Sequence, residues 1–196
     1  MRRYAEVVKE MEQEDVNGDT AFLIAVAHGH VKAARLLLAA GANTLAVRAD
    51  GSTALQVAAA AASSSATHSP AGSPAMFAAL LELGAANLLG SKNSNGDNVY
   101  HIIARQKNML VLLLAASATK DAIHVIAANA KGQSPLMIAL EDAGNGDGLA
   151  VATEFINVSG AFATGERVKR AVAAQFLTAN LFLTHNSNLV RLASFV

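Results

Sequence analysis

The chain contains no cysteine at all. Disulfides, thiol chemistry and zinc sites built on thiolates are therefore excluded, which fits a reducing compartment. Tryptophan is also missing, and aromatic residues make up only 5%. No charge of one sign prevails: 15 basic and 15 acidic side chains give a formal net charge of +0. There is thus no excess of Lys and Arg to hold a nucleic-acid backbone, and no polybasic run to attract an anionic membrane. The longest strongly apolar run, Met109 to Ala118, is too short to span a bilayer. The opening Met1-Arg2-Arg3-Tyr4-Ala5-Glu6 lacks the apolar stretch of a signal peptide. The expectation is a soluble intracellular chain, cytoplasmic or else nuclear, with neither nucleic acid nor membrane insertion among its partners.

The apolar residues that are present are mostly Ala and Leu. Apolar residues reach 53%, much of it Ala. A core of small side chains with few aromatics points to closely packed helices, because small residues let helix axes approach.

Self-comparison is the informative step. Asp15-Val-Asn-Gly-Asp-Thr-Ala-Phe-Leu-Ile-Ala25 lies in register with Arg48-Ala-Asp-Gly-Ser-Thr-Ala-Leu-Gln-Val-Ala58, at an offset of 33 residues. Asn93-Ser-Asn-Gly-Asp-Asn-Val-Tyr-His-Ile-Ile103 and Asn129-Ala-Lys-Gly-Gln-Ser-Pro-Leu-Met-Ile-Ala139 join the same register. The aligned glycines are Gly18, Gly51, Gly96 and Gly132, which suit a tight turn with positive φ. Thr20, Thr53, Asn98 and Ser134 follow as helix N-caps. A Leu-rich marker recurs downstream, at Leu36-Leu-Leu38 before Gly41, at Leu80-Leu81 before Gly84 and at Leu112-Leu-Leu114. The Leu triplet is expected to supply the buried stripe of a second helix, with Leu37 in the core, and Gly41 and Gly84 to sit at left-handed C-caps.

These residues resemble the ankyrin repeat, whose marks are a period of 33 and a Thr-Pro-Leu-His-x-Ala opening. Thr20-Ala-Phe-Leu-Ile-Ala25, Gly29-His30, Leu36-Leu-Leu38 and Gly41-Ala42-Asn43 match best, and the later copies drift, with Pro135 and His101 the lone motif Pro and His of the four openings. The resemblance implies an all-α ankyrin-repeat solenoid of about four recognisable repeats plus helical caps. The divisions read as one domain over 1–196: a capping helix at 1–14, repeats at 15–47, 48–92, 93–128 and 129–161, and a degenerate C-terminal repeat or cap at 162–196. The apolar end, Leu189 to Val196, is odd for an outer cap, so either it packs back on the array or the chain belongs to something longer. Two insertions stand out. A Ser/Pro/Gly stretch, 63–74, is expected to be a dispensable loop, and its Ser69-Pro70 and Ser73-Pro74 resemble proline-directed phosphorylation sites. A second, Gly144-Asn-Gly-Asp-Gly148, falls between the helices of the fourth copy.

The chemistry-bearing residues fit no catalytic pattern. His28 and His30 are the only close histidine pair, and zinc needs three or four converging ligands. His30 and His101 fall at the ankyrin histidine positions, where the resemblance implies that the ring braces a turn. Asn145, Asp147, Gly148 and Glu154 match positions of a calcium loop, but the first position would be Ala143, which cannot ligate. There is no phosphate-binding Gly-x-x-x-x-Gly-Lys-Ser/Thr and no Gly-x-Ser-x-Gly elbow. Neither a catalytic site nor a cofactor is expected. By resemblance to the family, the chain is a non-catalytic module that binds another protein through a concave face of hairpin fingers and first helices. The family's variable positions fall here on Val16, Asn17 and Asp19, on Ala49, Asp50 and Ser52, on Ser94, Asn95 and Asp97, and on Lys131 and Gln133. His28, Arg105, Gln106, Glu141 and Asp142 add the first-helix part. All are expected to be exposed. The alternative is a regulatory ankyrin segment of a larger protein such as a channel, a lipase or a transcription regulator.

Overall fold

The fold is taken from a computed structural model, which describes residues 10–62, 74–118, 122–141 and 146–162, with the backbone alone described at 122, 146–149 and 159–162. The capping helix 1–14 lies mostly outside the described residues. So do 63–73 of the first insertion, Asp142 and the segment 163–196.

The helices are α1 (Ala21–Ala27), α2 (Val31–Ala39), α3 (Ala54–Ala61), α4 (Pro74–Glu82), α5 (Val99–Gln106), α6 (Met109–Ala118), α7 (Ala122–Val125), α8 (Pro135–Glu141) and α9 (Gly146–Phe162), with a 3₁₀ turn at Ala85–Leu88. Among the described residues there is no strand, only one antiparallel bridge between Val47 and Thr53. No described helix is long and apolar enough to cross a membrane.

Two layers result. The first helices α1, α3, α5 and α8 pack side by side in chain order. The second helices α2, α4, α6 and α9 form the other row in the same order. The first helices are only 7 or 8 residues long, too short to persist alone, so stacking must supply their stability. Small residues make this close approach possible: Ala25, Ala54, Ala58, Ala59, Ala104 and Ala139 are buried among Phe22, Leu55, Tyr100 and Ile103. Tyr100 meets Phe155 edge-on, with ring centroids 6.5 Å apart, and its hydroxyl donates to the Ala115 carbonyl at 3.3 Å.

Local chemistry starts and stops the elements where the residues call for it. Thr20 Oγ1 accepts from Leu23 N–H at 3.4 Å, and Asn98 Oδ1 from Tyr100 and His101 N–H at 3.1 and 3.3 Å. Ser134 Oγ accepts from Met137 N–H at 3.3 Å. Pro74 opens α4, where a missing N–H costs nothing. Gly41 and Gly84, at φ +100° and +88°, provide the left-handed exits from α2 and α4.

The Leu triplets behave differently from the expectation. Leu112 and Leu80 are buried, but Leu37 is only partly buried against the core and Leu36 is 71% exposed. Consecutive helical residues point about 100° apart, so three neighbouring leucines cannot all face one layer.

Candidate partner-binding face

Each finger is the same five-residue turn. In the first, Asp15 N–H donates to the Asp19 carbonyl and Gly18 N–H to the Asp15 carbonyl, both at 3.0 Å. The pattern recurs at 48–52, 93–97 and 129–133, with Gly18, Gly51, Gly96 and Gly132 at φ between +72° and +75°. The residue at the finger base supports it from within. Asp15 Oδ1 accepts from the N–H groups of Asn17 and Asp19, Asn93 Oδ1 from those of Asn95 and Asp97, and Asn129 Oδ1 from those of Lys131 and Gln133, all at 2.8 to 3.0 Å. These turn-closing bonds hold the Asp15 carboxyl below its usual pKa. The second finger has Arg48 at this place, and there Asp50 accepts from Ser52 N–H at 2.8 Å and from Ser52 Oγ at 2.9 Å.

Fingers are tied to one another through the backbone. Ala49 N–H donates to the Asn17 carbonyl at 3.2 Å, Ser94 N–H to the Asp50 carbonyl at 2.9 Å, and Ala130 N–H to the Asn95 carbonyl at 3.0 Å. The four fingers therefore form one row. Beneath it a side chain of a first helix reaches the next finger. Gln56 Nε2 donates to the Asp97 carbonyl at 2.6 Å and the Ser91 carbonyl at 3.1 Å, while its Oε1 accepts from Thr53 N–H at 2.8 Å. His101 is fully buried, its Nε2 donating to the Gln133 carbonyl at 3.1 Å and its Nδ1 accepting from Asn98 N–H at 3.2 Å. Burial disfavours the imidazolium and holds this ring below its usual pKa.

Several expected contact residues are placed differently. Asp19, Ser52 and Asp97 are buried, not exposed. Asp19 is gripped by Arg48 through Nε and Nη2 at 2.7 and 2.8 Å. The Ser52 hydroxyl turns back onto Asp50. Asp97 accepts from Arg105 Nη1 at 2.6 Å and Nη2 at 3.2 Å, and from Asn129 Nδ2 at 2.9 Å. Burial opposes its ionisation, but the hydrogen bonds from Arg105 and Asn129 outweigh that and hold its pKa down. The two acids and the hydroxyl serve the scaffold: Asp19 and Asp97 are held by side chains of the next finger or the adjoining helix, and Ser52 by its own finger. His30 is corrected too: it is exposed, makes no capping bond, and stacks on His28 with ring centroids 5.9 Å apart.

Asn17, His28, Asp50, Asn95, Arg105, Lys131 and Glu141 are exposed, and Gln106 and Gln133 are half-buried. Gln133 Nε2 donates to Glu141 Oε1 at 2.7 Å. An open cleft of 460 Å³ lies between the third and fourth fingers, lined by Ser94, Asn95, Asp97, Arg105, Asn129, Ala130 and Lys131. It thus joins Asn95, Arg105 and Lys131 but leaves His28, Asn17 and Asp50 elsewhere. Sequence reasoning missed Arg48, Gln56 and Asn129 as network residues. The polar column Asp15, Arg48, Asn93, Asn129 at the finger base was the available signal. Among the described residues no group of three or more His, Asp or Glu could hold a metal ion.

A two-layer helical array whose units are joined by glycine-turn fingers defines a repeat solenoid. The family model for ankyrin repeats matches residues 3–85 in three copies, so this segment carries ankyrin repeats. Such repeats are in general protein–protein interaction modules and are typically non-catalytic. No curated protein matches the chain.

Proposed function

We propose that the chain binds another protein through its row of fingers and the adjoining first helices. The observation that carries this is the backbone-linked finger row, which presents Asn17, Asp50, Asn95 and Lys131 at exposed positions. A rigid row costs little ordering entropy when a partner docks. The exposed groups are amides and charges of both signs, so a polar partner surface fits better than a purely acidic or basic one.

The test compares proteins captured from cell extract by three folded forms. One is the unaltered chain. One carries Asn17→Ala, Asp50→Ala, Asn95→Ala and Lys131→Ala. The third carries Leu36→Gln, Leu110→Gln and Leu113→Gln on the outer helix row, where these leucines are exposed. The proposal expects the same captured protein with the first and third forms and its loss with the second. Loss with the third form and retention with the second would move the site to the outer row.

A further inference from the structure

We infer that the cleft between the third and fourth fingers takes an acidic side chain, Asp or Glu, from the partner's docking segment. The inference rests on the finger face being the docking face.

The argument starts from which polar groups in the cleft are already committed. Asp97 is buried, and its two oxygens receive Arg105 and Asn129. The Asn129 oxygen receives the Lys131 and Gln133 amides. The Ser94 hydroxyl donates away from the cleft floor, to the Asp50 carbonyl at 2.7 Å. The side-chain oxygens of Asp97 and Asn129 are thus spent inside the protein. What faces outward is donor-rich. A guanidinium carries five N–H donors, only two of which reach Asp97, and the Arg105 side chain is 39% exposed. Among the described residues the Lys131 ammonium takes part in no hydrogen bond or ion pair. Asn95, exposed on the same rim, has a side-chain amide.

Charge then selects the guest. Two cations and one anion line the cleft, Arg105 and Lys131 against Asp97. Asp97 neutralises about one of the two, so a single negative charge balances the remainder. A carboxylate supplies one charge and two acceptor oxygens, which a guanidinium edge and an ammonium can share. Glu141 already accepts from Gln133, Asp50 accepts from Ser52, and neither lines the cleft.

The probe is a phage-displayed library of random peptides, selected against the full chain at low salt. The expected result is one position enriched in Asp or Glu. Binding of those peptides should weaken about tenfold or more on Lys131→Glu, through like-charge contact, and should fall as salt rises. Lys131 is exposed, so a thermal melt should show the variant folded. Peptides without an acidic position, or unaffected by Lys131→Glu, overturn the inference. If such peptides still lose binding on Asn17→Ala with Asp50→Ala, the finger face stands and only the carboxylate assignment fails. Indifference to both changes overturns the face as well, and a library that yields no enriched peptide counts against both.

Discussion

The Nε2 of His101 lies 3.1 Å from the carbonyl oxygen of Gln133, in the finger that follows its own. Gln56 occupies the matching place one copy earlier and reaches the Asp97 carbonyl at 2.6 Å. Two different side chains therefore perform one task, donating a hydrogen bond across a repeat junction while accepting another from the backbone at the helix start. The first copy has Leu23 at that position and uses the Arg48–Asp19 pair across its junction instead.

This equivalence predicts that His101→Gln is far milder than His101→Ala. Glutamine can copy the Gln56 geometry and should cost less than about 1 kcal/mol. Alanine strips the buried Gln133 carbonyl of its donor and leaves a cavity, at about 2–3 kcal/mol. Urea unfolding followed by circular dichroism measures both. Equal losses would mean that the ring's shape, not its hydrogen bonds, is what the junction uses.

The finger turns were legible in the residues because they rest on local chemistry. A turn with positive φ selects glycine, and a following helix selects Thr, Asn or Ser as cap, so Gly18-Asp-Thr20 and Gly96-Asp-Asn98 announce themselves. The burial of Asp19 and Asp97 was not legible. Both stand in a finger that exposes its tip, and only the docking of the neighbouring unit brings Arg48 or Asn129 to them. Gln56 was hidden for the same reason, since its partners lie 35 and 41 residues away. Asn95, Arg105 and Lys131 are exposed, which their place in the repeat register announced, but the cleft that unites them depends on the spacing of two fingers.

Stability should depend on pH through His101. Its folded pKa is below the ordinary 6.5, so the native state prefers the neutral ring. The stability this contributes is complete above pH 6.5 and is lost as pH falls from there through the lower folded value. Asn98 Oδ1 lies 2.7 Å from Nδ1 and would accept from a protonated ring, but burial prevails. Asp97 follows the same sign at lower pH, its contribution fading below the ordinary 3.8. Urea midpoints taken between pH 7.5 and 4.5 should therefore drop for the unaltered chain and stay flatter for His101→Gln. A drop of the same size in the variant would place the titration elsewhere.

The finger glycines divide into two kinds. At Gly132 an added Cβ would meet nothing within 4 Å, so Gly132→Ala carries only the strain of φ +75°, about 1–2 kcal/mol. At Gly96 the Cβ would fall 2.6 Å from the Ala130 backbone nitrogen, the atom that ties the third finger to the fourth. Gly96→Ala should therefore cost clearly more than Gly132→Ala in thermal unfolding. Equal shifts in melting temperature would show that the inter-finger bond contributes little to the array.

Asp50 and Asp97 are both finger carboxylates, yet their removal should have opposite character. Asp97→Ala deletes a buried acceptor of three hydrogen bonds and leaves the Asn129 amide and the Arg105 guanidinium facing a void. Breaking a buried, paired charge is costly because the partner groups stay desolvated, and about 2–3 kcal/mol is expected here, since Arg105 can still reach water. Asp50→Ala removes two bonds to Ser52 at an exposed fingertip, where about 1 kcal/mol or less is expected. In binding the order should reverse. Once each measurement is corrected for the folded fraction, Asp50→Ala should weaken capture of a finger-face partner, because its carboxylate is accessible. Asp97→Ala should act mainly by disordering the Arg105 side chain, which Arg105→Ala would reproduce without the loss of a buried charge. Denaturant titration and binding run on the same three variants separate these contributions. An Asp97→Ala chain as stable as the Asp50→Ala chain would show that the Asp97 network does not hold the third and fourth fingers together.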